Sequence, residues 1–135
     1  MNRPVRSFRE FLITRVDSFR FAFAGWRHVL ATQPNTWIHA TATVLVVALG
    51  LWLHLPGRDL ALLLVMIALV WTAEFINTAL ESVVDLASPE QHPLAKAGKD
   101  AAAGAVLVAA VFSVAVGLLV LGPPLVDRLR SIFGR

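Results

Sequence analysis

Of 135 residues, 57% are apolar and 16% are charged, against roughly 25% charged in an ordinary soluble domain, so the chain has room for one domain whose natural solvent is lipid. There is no cysteine, which excludes a disulfide framework and any Cys-based metal centre. The net charge is only +3, and so apolar a chain lacks the solvated basic face that a nucleic-acid partner needs.

Arg3, Arg6, Arg9, Arg15, Arg20 and Arg27 crowd the amino-terminal part of the chain, as in a segment lying on anionic headgroups. Phe8, Phe11, Leu12, Phe19, Phe23, Trp26 and Leu30 recur there at mostly helical spacing. Together these patterns predict an amphipathic surface helix over about 6–30; packing on a partner or a soluble domain is the alternative reading. A cleaved signal peptide is not expected, because a long charged helix precedes the first apolar run and no small-residue cleavage site stands out.

No Asp, Glu, Lys or Arg lies between Arg27 and Arg58, and that gap predicts a first transmembrane helix over about 36–55, near the 20 residues a bilayer requires. His39 and His54, near its opposite ends, read as interfacial. Leu55-Pro56-Gly57-Arg58 predicts a hairpin turn. A second span follows over about 60–87, and then a loop marked by Ser88-Pro89 and His92-Pro93. A third span is predicted over about 94–121, uncharged from Ala101 onward and stopped by Gly122-Pro123-Pro124. The fold class is thus all-α: three transmembrane helices plus the surface helix, in one membrane-embedded domain over 1–135. Eight of the 12 Lys and Arg residues fall on the side of the amino terminus and second loop, which places that side in the cytoplasm.

Glu74, Asn77, Glu81 and Asp85 are spaced by three, four and four residues, so they form one polar stripe along the second span. A buried carboxylate costs a few kcal/mol unless paired or metal-bound, and three on one face therefore point to a site. Interhelical hydrogen bonding that specifies packing is the competing reading. The following loop returns with His92, Lys96, Lys99 and Asp100 at the same level of the membrane. Carboxylates and an amide suit a magnesium-type cation, and a lysine suits a phosphate as a point charge, although snorkelling also explains lysines at a helix end. Ala97, Ala101, Gly104 and Ala105 give the third span a small-residue side that lets another backbone approach closely. No Walker loop or soluble-kinase motif is present, so the residues alone reach a metal-and-phosphate site and no further.

The run Glu74-Phe-Ile-Asn77-Thr-Ala-Leu-Glu81-Ser-Val-Val-Asp85, followed by His92-Pro-Leu-Ala-Lys96-Ala-Gly-Lys99-Asp100-Ala-Ala-Ala-Gly104-Ala-Val-Leu, resembles the signature of the prokaryotic diacylglycerol kinase and undecaprenol kinase family. Phe21-Ala-Phe-Ala-Gly25 and Gln33-Pro-Asn35-Thr-Trp-Ile38-His39 agree with it, so the likeness covers about 19–107. It implies a homotrimeric lipid kinase of the bacterial inner membrane, with its active site facing the cytoplasm, that moves the gamma-phosphate of ATP, with Mg2+, onto a lipid hydroxyl. Carried over by position, Glu74 would be the general base and Asn77 its hydrogen-bonding neighbour, while Glu81 would hold the metal. Lys99 would bind the triphosphate, Asp100 would support the nucleotide, and Glu90, Gln91 and His92 would border its base or ribose.

One position departs from the pattern. Gln33 stands where the best-known diacylglycerol kinases carry a metal-binding glutamate; an amide offers a carbonyl oxygen without charge, and Asn35 or a water would share the role. The His92-Pro-Leu-Ala-Lys96 loop and residues 35–39 look more like the undecaprenol kinase branch, with diacylglycerol, giving phosphatidic acid, as the alternative substrate. A small transporter or assembly subunit whose carboxylates relay ions is the non-enzyme rival.

Overall fold

The computed structural model describes the backbone of residues 8–90 and 92–134, and side chains from residue 15 onward. The described residues form four helices: α1 (Phe8–Thr32), α2 (Asn35–Trp52), α3 (Gly57–Ala87) and α4 (Pro93–Phe133). The last three are long and apolar enough to cross a membrane. By their contacts the residues group into two units, Met1–Pro34 and Asn35–Arg135. In the first, the Gln33 N–H closes the final turn of α1 on the Val29 carbonyl at 3.0 Å, and Pro34 ends the run because the residue before a proline avoids helical dihedrals. The basic face expected over 6–30 begins on Arg3 and Arg6, which lie outside the described residues.

Within the second unit, α2 and α3 form an antiparallel hairpin whose register is fixed by three facing pairs. Position 39 meets 74, 43 meets 71, and 50 meets 63. At Gly50 an added Cβ would lie 2.9 Å from Leu60 Cδ2, so a larger residue there would make that leucine shift. The turn itself is a Schellman cap, with the Leu55 N–H bonded to the Gly50 carbonyl and the His54 N–H to that of Leu51, both at 3.1 Å. Such a cap needs a left-handed residue at its penultimate position, and here His54 (φ 54°) occupies it in place of the usual glycine.

Helix α3 starts on Pro56 without a side-chain cap but carries Asp59 in its first turn, where negative charge is favourable. It packs chiefly on α4 and less on α2. A small core of Leu55, Leu63 and Leu121, with Val46, Leu49 and Leu60 against it, closes the hairpin end of the bundle. Large apolar side chains such as Leu45, Val65, Phe112 and Leu119 remain exposed along the helices, as lipid-facing residues are in a bundle whose solvent is hydrocarbon.

The expected stop at Gly122-Pro123-Pro124 is corrected by the structure: α4 runs through both prolines to Phe133. A helix-interior proline removes one backbone hydrogen bond and crowds the preceding turn, yet its φ is already helical, and Gly122 lacks the Cβ that would clash with the ring of Pro123. Packing on both sides supplies the rest. Leu121 is locked in the core, and beyond the prolines the Arg128 guanidinium lies 5.6 Å over the Trp52 ring, within cation–π range.

Candidate functional site

The polar stripe of α3 is graded by depth. Glu74 and Asn77 are buried at 2% and 6% exposure, Glu81 is half-buried, and Asp85 is exposed where the helix reaches the 88–92 loop. One helix face thus carries acidic groups from the bundle interior to its open end, as the three- and four-residue spacing dictates.

At the deep end, Glu74 Oε2 lies 3.7 Å from His39 Nε2 on α2, and the two side chains are 2% and 15% exposed. His39, read from sequence as interfacial, is instead tucked against the deepest carboxylate, and its Nε2 is buried without a hydrogen-bond partner. The signal was available. His39 and Glu74 are equidistant from the Pro56-Gly57 turn, so an antiparallel hairpin sets them opposite each other. One turn further in, Trp71 Nε1 donates to Thr43 Oγ1 at 3.1 Å, and Thr43 Oγ1 donates to the His39 carbonyl at 2.7 Å. These bonds join α2 and α3 at the level of the carboxylate.

Asn77, expected from the resemblance to bond Glu74, instead donates from Nδ2 to Glu81 Oε1 at 3.1 Å, while its Oδ1 is buried with no partner. An orphaned amide oxygen beside a half-buried carboxylate is the kind of oxygen-rich corner a hard divalent cation accepts. Among the described residues no three His, Asp or Glu side chains cluster closely enough to hold a metal by themselves. Asn77 also borders an apolar groove of about 570 Å³ between α3 and α4, shared with Ile76, Leu80, Ala101, Ala102 and Ala105. Of the small residues on the third span, Ala101 and Ala105 line this groove, whereas a Cβ on Gly104 would meet nothing within 4 Å.

At the shallow end the connection folds back on itself. The Ser88 N–H bonds the Val84 carbonyl at 2.8 Å to finish α3, and Ser88 Oγ donates to the Glu90 carbonyl at 3.0 Å. His92 then caps α4, its Nδ1 accepting from the Leu94 N–H at 3.2 Å, with Pro93 at the first helical position where a missing N–H does no harm. Its firm duty is thus structural.

The first turns of α4 present two lysines. Lys99 Nζ reaches both oxygens of Asp85, at 2.9 and 3.2 Å, and Lys96 pairs with Asp100 one turn along. Asp85, given no role of its own from sequence, is therefore the group that aims Lys99. Glu90, His92, Lys96, Lys99, Asp100 and Asp85 all line one cavity of about 650 Å³, within the usual range of small-molecule sites. The structure brings four of the nucleotide-linked residues, Glu90, His92, Lys99 and Asp100, around that single opening. Gln91 lies outside the described residues. Gln33 belongs to the other unit, where its side chain is half-buried.

Comparison with known proteins adds an independent line. Residues 20–121 match the profile of the family described as prokaryotic diacylglycerol kinase. The chain is 48% identical over 113 residues to a diacylglycerol kinase of Synechocystis sp., a match covering 83% of this chain and 65%, just under two thirds, of that protein. It is 41% identical over 108 residues to an undecaprenol kinase of Bacillus subtilis, covering 80% of this chain and 88% of the relative. Against a diacylglycerol kinase of Escherichia coli the identity is 34% over 94 residues, with 70% and 77% covered.

Proposed function

Because this chain belongs to the prokaryotic diacylglycerol kinase family, we propose that it is a membrane lipid kinase moving the gamma-phosphate of ATP onto a lipid hydroxyl, at an active site facing the cytoplasm. The observation that carries the reading is the graded stripe on one face of α3, with a buried carboxylate at its deep end and, at its shallow end, a cavity lined by the lysines of α4.

Roles follow depth. The triphosphate occupies the cavity beside Lys99, whose bonds to the two Asp85 oxygens are exchanged for phosphate oxygens of like charge and geometry. Asp100 supports the nucleotide through Lys96, and Glu90, Gln91 and His92 border its base or ribose. Glu81 holds Mg2+, with the Asn77 amide oxygen beside it; when bound with ATP, such a cation neutralises charge on the phosphates. By the resemblance, Gln33 would offer a second metal an uncharged carbonyl. Glu74 is the general base for the lipid hydroxyl, lying deeper than Glu81 by two helical turns, about 10 Å at 1.5 Å per residue. The apolar groove beside Asn77 takes the lipid chain.

Undecaprenol is the favoured substrate, on the His92-Pro-Leu-Ala-Lys96 loop and residues 35–39. Diacylglycerol is the second reading, favoured by the 48% identity to the Synechocystis protein of that name. The protein acts as a homotrimer, with open positions such as Gly104 available for contact between copies. Purified protein supplied with magnesium ATP and both lipids in one micelle tests the choice. Undecaprenyl phosphate forming faster supports the first substrate, phosphatidic acid forming faster replaces it with the second, and no phosphorylated lipid at all defeats the kinase reading.

A further inference from the structure

A proton-accepting carboxylate works only if one oxygen is held where the hydroxyl arrives, and a glutamate does not hold itself: its terminal torsion is broad and two-fold. Glu74 is 2% exposed, so water does not orient it. Among the described residues, His39 is the one side chain paired with its carboxylate.

His39 is placed for that task in three respects. Its Nε2 is buried and has no other partner, so a proton there has nowhere to point but the carboxylate. Its ring sits on a backbone that is itself clamped, since Thr43 Oγ1 donates to the His39 carbonyl at 2.7 Å and receives the Trp71 N–H at 3.1 Å. Trp71 is on α3, one turn from Glu74, so the ring and the carboxylate are carried by two helices pinned together beside them. Finally, the 3.7 Å separation exceeds the roughly 2.7–3.2 Å of a formed hydrogen bond by less than an ångström, and catalytic hydrogen bonds commonly tighten once substrate is bound.

We propose that His39 is a positioning residue: its Nε2–H holds Oε2 of Glu74 and leaves Oε1 free for the lipid hydroxyl. This rests on the reading of Glu74 as the base. In the step itself, the hydroxyl proton passes to Oε1 as the new oxygen–phosphorus bond forms, and the bond from the gamma-phosphorus to the bridging oxygen breaks with its electron pair leaving on ADP. His39 keeps its proton throughout. It touches neither lipid nor nucleotide, and acts on rate through the orientation of the carboxylate.

The experiment measures kcat, the KM for ATP and assembly in micelles for His39→Ala and His39→Gln, each in the native background and with Glu74→Gln. Loss of a group that orients a reacting residue typically lowers activity about tenfold to a hundredfold, so His39→Ala should lose that much in kcat with an unchanged KM for ATP. His39→Gln, which returns an amide N–H near the place of Nε2, should recover most of it. On Glu74→Gln, His39→Ala should cost nothing more, because there is no base left to position. A native kcat in His39→Ala while Glu74→Gln is inactive overturns the proposal alone. So does equal loss of assembly in both His39 variants, which marks a packing role. Native turnover in assembled Glu74→Gln overturns the reading of Glu74 on which the proposal stands.

Discussion

Replacing Glu74 with methionine should leave the protein about as stable as the native one and inactive. The side chain is 2% exposed, and its charge is met by a single imidazole nitrogen at 3.7 Å, beyond hydrogen-bond length. A buried charge with so little compensation is a net liability, and exchanging buried ionic groups for apolar residues of similar volume commonly stabilises by about 1–4 kcal/mol. Only one group of the pair is removed, and the buried His39 N–H left without an acceptor costs about 1–3 kcal/mol, so the gain is offset and the net change should stay within about 1 kcal/mol of zero. Methionine is flexible enough to fill the space without strain. Unfolding in mixed micelles under increasing SDS, followed by circular dichroism, measures the change, and transfer is assayed on the same samples. A destabilisation of about 3–5 kcal/mol, the cost of breaking a buried pair, with loss of assembly, would refute the reasoning, because the carboxylate would then be tying helices together.

The other expectations are more local. Glu81→Gln keeps the shape of the metal-side corner and removes its charge, so activity titrated against magnesium should shift to higher concentration or vanish; an unchanged titration would move the metal elsewhere on the stripe. His54→Gly should raise stability by about 1 kcal/mol by relieving a left-handed residue that carries a Cβ, with activity unaffected; a loss of stability would show that the imidazole makes a compensating contact. Since the chain has no cysteine, Glu90→Cys is a single-cysteine protein, and an impermeant thiol reagent should label it only from the cytoplasmic side. Labelling solely from the outside would reverse the orientation.

Much of this site is legible in the sequence because helical periodicity is a local property. The spacing of Glu74, Asn77, Glu81 and Asp85 guarantees a common face, and the loop that follows must bring Lys99 back to the level of Asp85. What periodicity does not give is register. His39 reads as interfacial when α2 is considered alone, and becomes the partner of Glu74 only once α2 and α3 are folded about the Pro56-Gly57 turn. The same holds for Thr43 with Trp71, whose bond depends on two helices meeting at a particular height.

Pro123 and Pro124 teach a related lesson. Local propensity says stop, and Leu121 in the core with Arg128 over Trp52 keeps the helix going, an instance of tertiary contact overriding intrinsic preference. Small residues likewise announce close approach without naming the partner. A Cβ on Gly50 would meet Leu60 within its own hairpin, whereas one on Gly104 would meet nothing within 4 Å among the described residues.

The central claim is that a buried carboxylate on α3 accepts the proton of a lipid alcohol as phosphate arrives from ATP. Its most direct test is the transfer of radiolabel from gamma-labelled magnesium ATP to lipid by Glu74→Gln, measured beside the native protein on samples matched for assembly and for ATP binding. Glutamine preserves size and removes basicity, and loss of a general base typically lowers the rate about a hundredfold to ten-thousandfold. The native protein should form labelled lipid, and the variant should show a loss of that order with ATP still bound. Labelled lipid formed at the native rate by assembled Glu74→Gln would contradict it.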